Sequence, residues 1–338
     1  MSTAFSSPNA LLDRYVRYGD LRPCTTAFID TRTPGSAQKE NFTIIGPGVS
    51  ENPDQHVHIP EPHGFNIGAA RQPPRCTNSQ HSHETAEVFF IHSGTWAFML
   101  GENADEGTVV LQPGDTISIP IHVFRGFENV GDETGIIYAV LGEDDPGQVT
   151  WAPYVFDRAA EYGLILLENG ALVDTTKGET VPDGLKAQPP TTRAQCDALN
   201  KMSADDLLEC VVRRDAVNWQ PSCAGGEGVF EGPVIGSASS DEQLPEAPLN
   251  WLHGFHLRRI RFDNGGHTAW HTRAEAEVVI VHAGEIRVST RDGDLTLAEG
   301  DVLTVPVGLK RKYEATGNGS EIVVVRGTDQ PSGPQFED

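Results

Sequence analysis

Two stretches of this chain are copies of one another, 190 residues apart. His81, Glu87 and Gly94 recur as His271, Glu277 and Gly284, and the triplet His63-Gly64-Phe65 recurs as His253-Gly254-Phe255 at the same separation. Further on, Gly114-Asp115 with Pro120 matches Gly300-Asp301 with Pro306, now 186 residues apart, as a hairpin four residues shorter requires. A single repeat at this distance means two copies of one domain, because solenoid units run only about 20–50 residues. The length of 338 residues agrees, since it exceeds what one hydrophobic core usually supports.

The copies are unequal where chemistry is concerned. In His81-Ser-His83-Glu-Thr-Ala-Glu87, residues two apart on a strand point to the same face. His81, His83 and Glu87 therefore share one side, and two imidazoles with a carboxylate are the ligand set of many mononuclear Fe(II) oxygenases. The flanking run Val88-Phe89-Phe90-Ile91 reads as a buried strand, which argues against three polar groups on a solvated face. In the second copy Arg273 stands where His83 stands in the first. A guanidinium stays protonated and does not ligate metal, so the second copy is expected to keep the shape and lose the site.

Around these motifs the punctuation is that of short strands. Thr95–Leu100, Thr108–Leu111, Asp115–Ile119 and Gly135–Leu141 are separated by Gly, Asp and Pro, which fits an antiparallel barrel or jelly roll. Ala152–Tyr162 and Ser203–Arg213 have helical periodicity instead, and a short amphipathic helix is expected around Ala10–Tyr18. The expected organisation is an arm and lead-in over 1–55, a metal-binding barrel over 56–150, a helical connector over 151–231, and a barrel with a degenerate site over 232–338.

The spacing His81-x-His83-x3-Glu87-x6-Gly94 resembles the first metal motif of the cupin superfamily, and the whole chain resembles a bicupin. The resemblance implies an all-β fold of two tandem cupin barrels (jelly rolls, or double-stranded β-helices) joined by the helical connector. It extends to quercetinase-like enzymes and to the gentisate and hydroxynaphthoate dioxygenases, although Glu87 departs from the three-histidine site of the latter. The family's second motif departs further. Gly114, Pro120 and Asn129 keep their places, but Arg125 occupies the position of the usual fourth ligand, and His122 that of a glycine. In the second copy Arg311 holds the equivalent position.

What remains is a three-ligand site for one divalent ion per chain, with Fe(II) favoured and Mn, Ni or Zn as alternatives. Arg125 has two readings. As a catalytic residue it clamps a substrate carboxylate through paired hydrogen bonds; as a structural one it forms an ion pair with Glu87. With iron on His81, His83 and Glu87, the leading expectation is a non-haem Fe(II) dioxygenase acting on a small carboxylate-bearing, aromatic or enolisable substrate, whose carboxylate Arg125 orients in the first reading. A metal-dependent isomerase or lyase and a non-catalytic anion binder are the alternatives.

Composition narrows the partners. A formal charge of −23 argues against nucleic acid or an anionic membrane surface. No apolar run is long enough to span a bilayer, and the first residues lack the basic start and apolar core of a secretory signal. The five cysteines show no CxxC spacing, which suggests reduced thiols and a cytoplasmic protein. A homodimer or larger homo-oligomer is expected on the resemblance.

Overall fold

The structure, a computed structural model, describes residues 9–330 and 332–336. Two compact units divide it: one is Arg22–Arg214, and the other joins the segment ending at Leu21 to Asp215–Asp338. Among the described residues no helix is long and apolar enough to cross a membrane.

Unit Arg22–Arg214 is built on two sheets. The smaller runs Thr150–Trp151, Thr77–Ser82, Arg125–Asn129, Trp96–Leu100, Gly107–Leu111 in spatial order. The larger runs Val211–Val212, Thr116–Ile119, Glu87–Ser93, Gly135–Gly142, Phe65–Gln72, Glu40–Ile45, Val57–Ile59. All these pairings are antiparallel except Glu40–Ile45 with Val57–Ile59. Their inward side chains make one core containing Phe89, Ile91, Trp96, Phe98, Leu111, Ile117, Phe127 and Ile137. Glu87 stands two residues before Phe89 on the same strand, so the pleat turns its carboxylate to the core side. His92 falls on the opposite face, as the alternation requires. It is buried there against Tyr138 rather than solvated.

Gly94 closes the turn after that strand with φ +85°, and a Cβ added there would meet the Gly135 Cα at 2.8 Å. Gly284 repeats this with φ +75° and the Gly319 carbonyl oxygen at 2.6 Å. The motif glycine is thus required by backbone geometry.

The segment expected as a connector carries the two expected helices, and its residues up to Arg214 fall in the same unit as the first barrel. Pro153–Glu161 begins with a proline and buries Val155, Phe156 and Ala159. Ala204–Glu209 begins with a Ser203–Asp206 capping box. The second helix stops at Glu209 because Val211–Val212 leaves it to pair with Ile117 and Thr116. Helix Arg193–Ala198 and the hairpin Leu164–Leu166/Leu172–Asp174 complete the segment.

The second unit forms a continuous ten-stranded sheet, because the 13-residue strand Phe255–His267 pairs with Ser320–Gly327 and reaches on to Arg311–Ala315. Near the N-terminus the helix covers only Asn9–Leu12, shorter than the expected Ala10–Tyr18. Tyr15–Val16 is instead a strand, paired with Leu303 and Val302 as Val211–Val212 is paired in the other unit.

The repeated Gly-Asp motif explains this docking. The Asp301 carboxylate accepts the Tyr15 hydroxyl, the Tyr18 N–H (2.8 Å) and the Ala298 N–H (2.9 Å). Asp115 likewise accepts the Arg214 N–H, an Arg213 guanidinium N–H and the Gln112 N–H. Each aspartate ties a docked segment to its barrel by accepting backbone and side-chain donors from both.

Candidate metal centre

His81 lies on strand Thr77–Ser82, with Arg125 opposite it on one neighbouring strand and Trp151 opposite it on the other. His83 follows the strand, and Glu87 opens the next. One donor atom from each of His81, His83 and Glu87 can be chosen so that all lie within 4.8 Å of one another, and all three residues are buried. His81 Nδ1 is 2.7 Å from the Ser79 carbonyl, which only accepts, so Nδ1 carries the proton and Nε2 keeps a lone pair. His83 Nε2 is 3.5 Å from Glu87 Oε1, while His83 Nδ1 is buried without a protein partner. Burial, and then the charge of Arg125, push both imidazoles well below their ordinary pKa, which keeps them neutral and able to donate. Burial raises the Glu87 carboxyl, opposed by Arg125.

Arg125 is directed at Glu87. Its Nε and Nη2 both reach Glu87 Oε2, the former at 3.0 Å, and its Nη1 donates to the carbonyls of Val123 and His81. It is 1% exposed and does not line the adjoining cavity. This corrects the expectation of a substrate clamp, because the guanidinium is already consumed by protein acceptors. Only Oε2 is engaged, however, and Oε1 remains on the side of His83. Two neutral imidazoles and one such oxygen are a donor set that suits a divalent ion.

A cavity partly open to solvent adjoins these residues. His81, His83 and Glu87 line it together with Phe42, Phe89, Phe127, Leu141 and Trp151, and with the neutral polar Asn41, Thr43, Ser50, Gln55 and Asn78. Several of these come from strand Glu40–Ile45 and the loop after it, where no site residue was expected. The alternation Asn41-Phe-Thr43-Ile is the signal that marks them as a polar face beside an apolar one. His56, His58 and His63 do not line the cavity. His63 binds the Glu61 carbonyl and Asp144 as His253 binds Trp251 and Asp329, a structural role common to both copies. His122 sits in a turn with φ +59° and is outside the ligand trio.

Trp151 ties the site to a buried acid. Its ring centre is 5.3 Å from that of His81, and its indole N–H donates to Glu51 Oε1 at 2.5 Å. Glu51 Oε2 accepts the Ile29 N–H at 2.6 Å. Burial pushes the Glu51 carboxyl up to about 8, against the pull of these two donors. With the folded value above the unfolded one, the folded state holds the extra proton between pH ~4.5 and ~8, so stability falls as pH rises through that window. Glu51→Gln is expected to flatten this part of a plot of denaturation midpoint against pH. An unchanged slope would refute the assignment.

In the second unit the equivalent carboxylate is fully occupied. Glu277 accepts from Arg311 (2.8 Å), from Arg326 (2.6 Å) and from the Tyr313 hydroxyl. Arg273 turns to Glu242 at 2.7 Å and to the Ser332 carbonyl at 2.8 Å, rather than hydrogen-bonding Glu277. Cys223, Glu231 and Glu242 also lie within ligand distance of one another. Guanidinium groups of Arg258, Arg273 and Arg326 already face those carboxylates, so this is an ion-pair core and a poor place for a cation.

Comparison with known proteins agrees with this architecture. The profile of the cupin domain matches twice, at residues 70–141 and 258–325. No curated protein matches the chain. Among solved structures, the oxalate decarboxylase of Lactobacillus farciminis, in a formate complex, superposes with a TM-score of 0.57 at 12% identity, over 94% of this chain and 87% of that one. The vicilin of Capsicum annuum superposes with a TM-score of 0.58 at 15% identity, over 96% and 88%. A Bacillus subtilis oxalate decarboxylase variant gives 0.54 at 12%, over 94% and 78%. At such identities the likeness speaks for the fold alone. The chain therefore carries two cupin domains in tandem, one in each repeat.

Proposed function

We propose that the first barrel is the active half of a metal-dependent oxidoreductase of dioxygenase type, with one divalent ion, Fe(II) in the favoured case, on His81, His83 and Glu87. The observation that carries this reading is the buried trio of neutral imidazoles and a half-engaged carboxylate lining one cavity. When bound, such an ion supplies open coordination positions for dioxygen and a chelating substrate. The chain's own residues do the rest. The Ser79 carbonyl fixes the His81 ring, Arg125 fixes Glu87 Oε2, and aromatic side chains line the adjoining cavity.

Two readings compete. The oxalate decarboxylase likeness favours a metal-dependent reaction without net oxidation, and the vicilin likeness favours a binder without catalysis. Protein purified without added metal should contain close to one ion per chain and consume oxygen with small hydroxylated or enolisable compounds. Turnover unchanged under anaerobic conditions would point to the first rival, and an ion-free protein to the second. Self-association as a homodimer or larger, soluble in the cytoplasm, belongs to the same proposal and is read by sedimentation and fractionation.

Arg125 enters as a positioning residue. Its charge neutralises Glu87 and repels an incoming cation, so Arg125→Met should bind the ion about tenfold tighter or more at pH 8. It should also loosen Glu87, lowering kcat more than it changes substrate binding. A metal titration showing weaker binding would contradict this.

A further inference from the structure

Behind the strand that carries His81 lies a lysine cut off from solvent. Lys39 and Asp30 are both 0% exposed, and Lys39 Nζ donates to Asp30 Oδ1 and to Asn78 Oδ1, the latter at 2.8 Å. The centre of the Phe28 ring stands 5.4 Å from the same nitrogen. The other Asp30 oxygen, Oδ2, accepts the Ser79 N–H at 3.0 Å. Glu51, a neighbouring buried carboxyl pushed up to about 8 by burial, keeps its proton at neutral pH and adds no charge. Asp30 and Lys39 belong to residues 25–39, a stretch of turns without helix or strand that nonetheless buries Thr31, Thr33 and Ser36 as well. Irregular segments normally run over the surface, so a buried one needs something to hold it. Taking an ammonium and a carboxylate fully out of water is costly even when they pair, and an uncharged link between them removes that cost.

We propose that Lys39 and Asp30 condense to an isopeptide bond, a covalent staple that closes the irregular segment behind the ligand strand. The two groups are already in contact, so the reaction is intramolecular and its entropic cost is met by the fold. Proton transfer within the pair leaves a neutral amine against a neutral acid. Nζ then attacks Asp30 Cγ, with Asn78 Oδ1 orienting the amine and the Ser79 N–H stabilising the negative charge on Oδ2. The Cγ–Oδ1 bond breaks, and Oδ1 leaves as water with two of the three ammonium hydrogens, while the third stays on the amide nitrogen. Nothing is oxidised or reduced, and no further reactant enters. Phe28 and Asn78, which both face Lys39 Nζ, also line the solvent-open cavity, so the water has a way out. The product would hold the Ser79 N–H on one side while the Ser79 carbonyl holds the His81 ring on the other.

The test is mass spectrometry of the purified full chain, unfolded under reducing conditions, with a trypsin digest sequenced by fragmentation. The chain is expected to be lighter than its sequence by one water. Trypsin should fail to cut after Lys39, and residues 18–32 should travel joined to residues 33–71 through the Asp30 side chain. Lys39→Arg keeps the cation, but a guanidinium is no nucleophile here, so this variant should show the full mass and a lower denaturation midpoint. Wild-type protein at full mass, cut normally after Lys39, would overturn the proposal and leave an ion pair. A loss of ammonia with the link on Asn78 would overturn it too, as would loss of water persisting in Lys39→Arg. The deciding measurement is made on the wild type, so a variant that fails to fold does not protect the idea. It is also independent of metal content, which elemental analysis reads separately.

Discussion

Replacing His81 and His83 together by alanine is expected to bring bound metal from close to one ion per chain to below a tenth of that. Three side chains form the donor set, and two of them go at once. What remains is Glu87, whose charge Arg125 already balances. A monodentate carboxylate in that state holds a divalent cation weakly, so the loss should be nearly complete and any oxygen-dependent turnover should vanish with it. The fold should survive, because neither ring belongs to the apolar core of the barrel. Elemental analysis beside circular dichroism separates loss of the ion from loss of structure. A well-folded double variant that keeps its metal would sink the assignment. The same replacement at His271 should leave metal content unchanged.

A larger effect on stability is expected in the second barrel. Four arginines, Arg258, Arg273, Arg311 and Arg326, are buried with three carboxylates, Glu231, Glu242 and Glu277. Glu277 answers two of the guanidinium groups directly. Glu277→Gln keeps the shape and removes the charge, leaving Arg311 and Arg326 in a dry interior without it. Breaking a buried pair in this way costs about 3–5 kcal/mol. Hydrogen exchange resolved by peptide should show the loss in strands of the second unit, with Arg22–Arg214 little changed. Adding Arg311→Met to Glu277→Gln should recover part of the loss, since the pair is removed together. Equal stability of wild type and the single variant would mean that the network contributes nothing.

The two barrels, and the grouping of His81, His83 and Glu87 as neighbours, were legible in the sequence because short-strand periods and a motif of seven residues are local. Strand Thr77–Ser82 carries His81 and the next strand, in the other sheet, opens at Glu87, so the expected single pleat is replaced by a turn through His83 that joins the two sheets; Gly94 and Gly284 mark turns that only glycine fits. Arg125 was legible as a residue at an inward position, but not in its direction. Whether it reached a substrate or Glu87 depends on the pairing that sets strand Arg125–Asn129 beside Thr77–Ser82, with Arg125 opposite His81, 44 residues earlier. The strand Glu40–Ile45 was absorbed into a lead-in because nothing local says which sheet it joins. Asn41 and Gln55 went unseen for the same reason. The second barrel's damage was visible as Arg273, yet the carboxylate that answers it, Glu242, sits in a segment with no repeat to mark it.

The docked segment Tyr15–Val16 gives the chain an order of events. Tyr18 is made before any of residues 22–214, while its partner Asp301 lies 283 positions later. At about 5–20 residues per second, the segment waits roughly 15–60 s for the strand it will join. The unit that carries the ligand trio has all its own strands by Val212 and can close in the meantime. A nascent chain therefore passes through a stage in which one barrel is finished and an unpaired strand from the other trails from its front. Anything fused ahead of Tyr15 is, in the finished protein, attached to the barrel that is synthesised last.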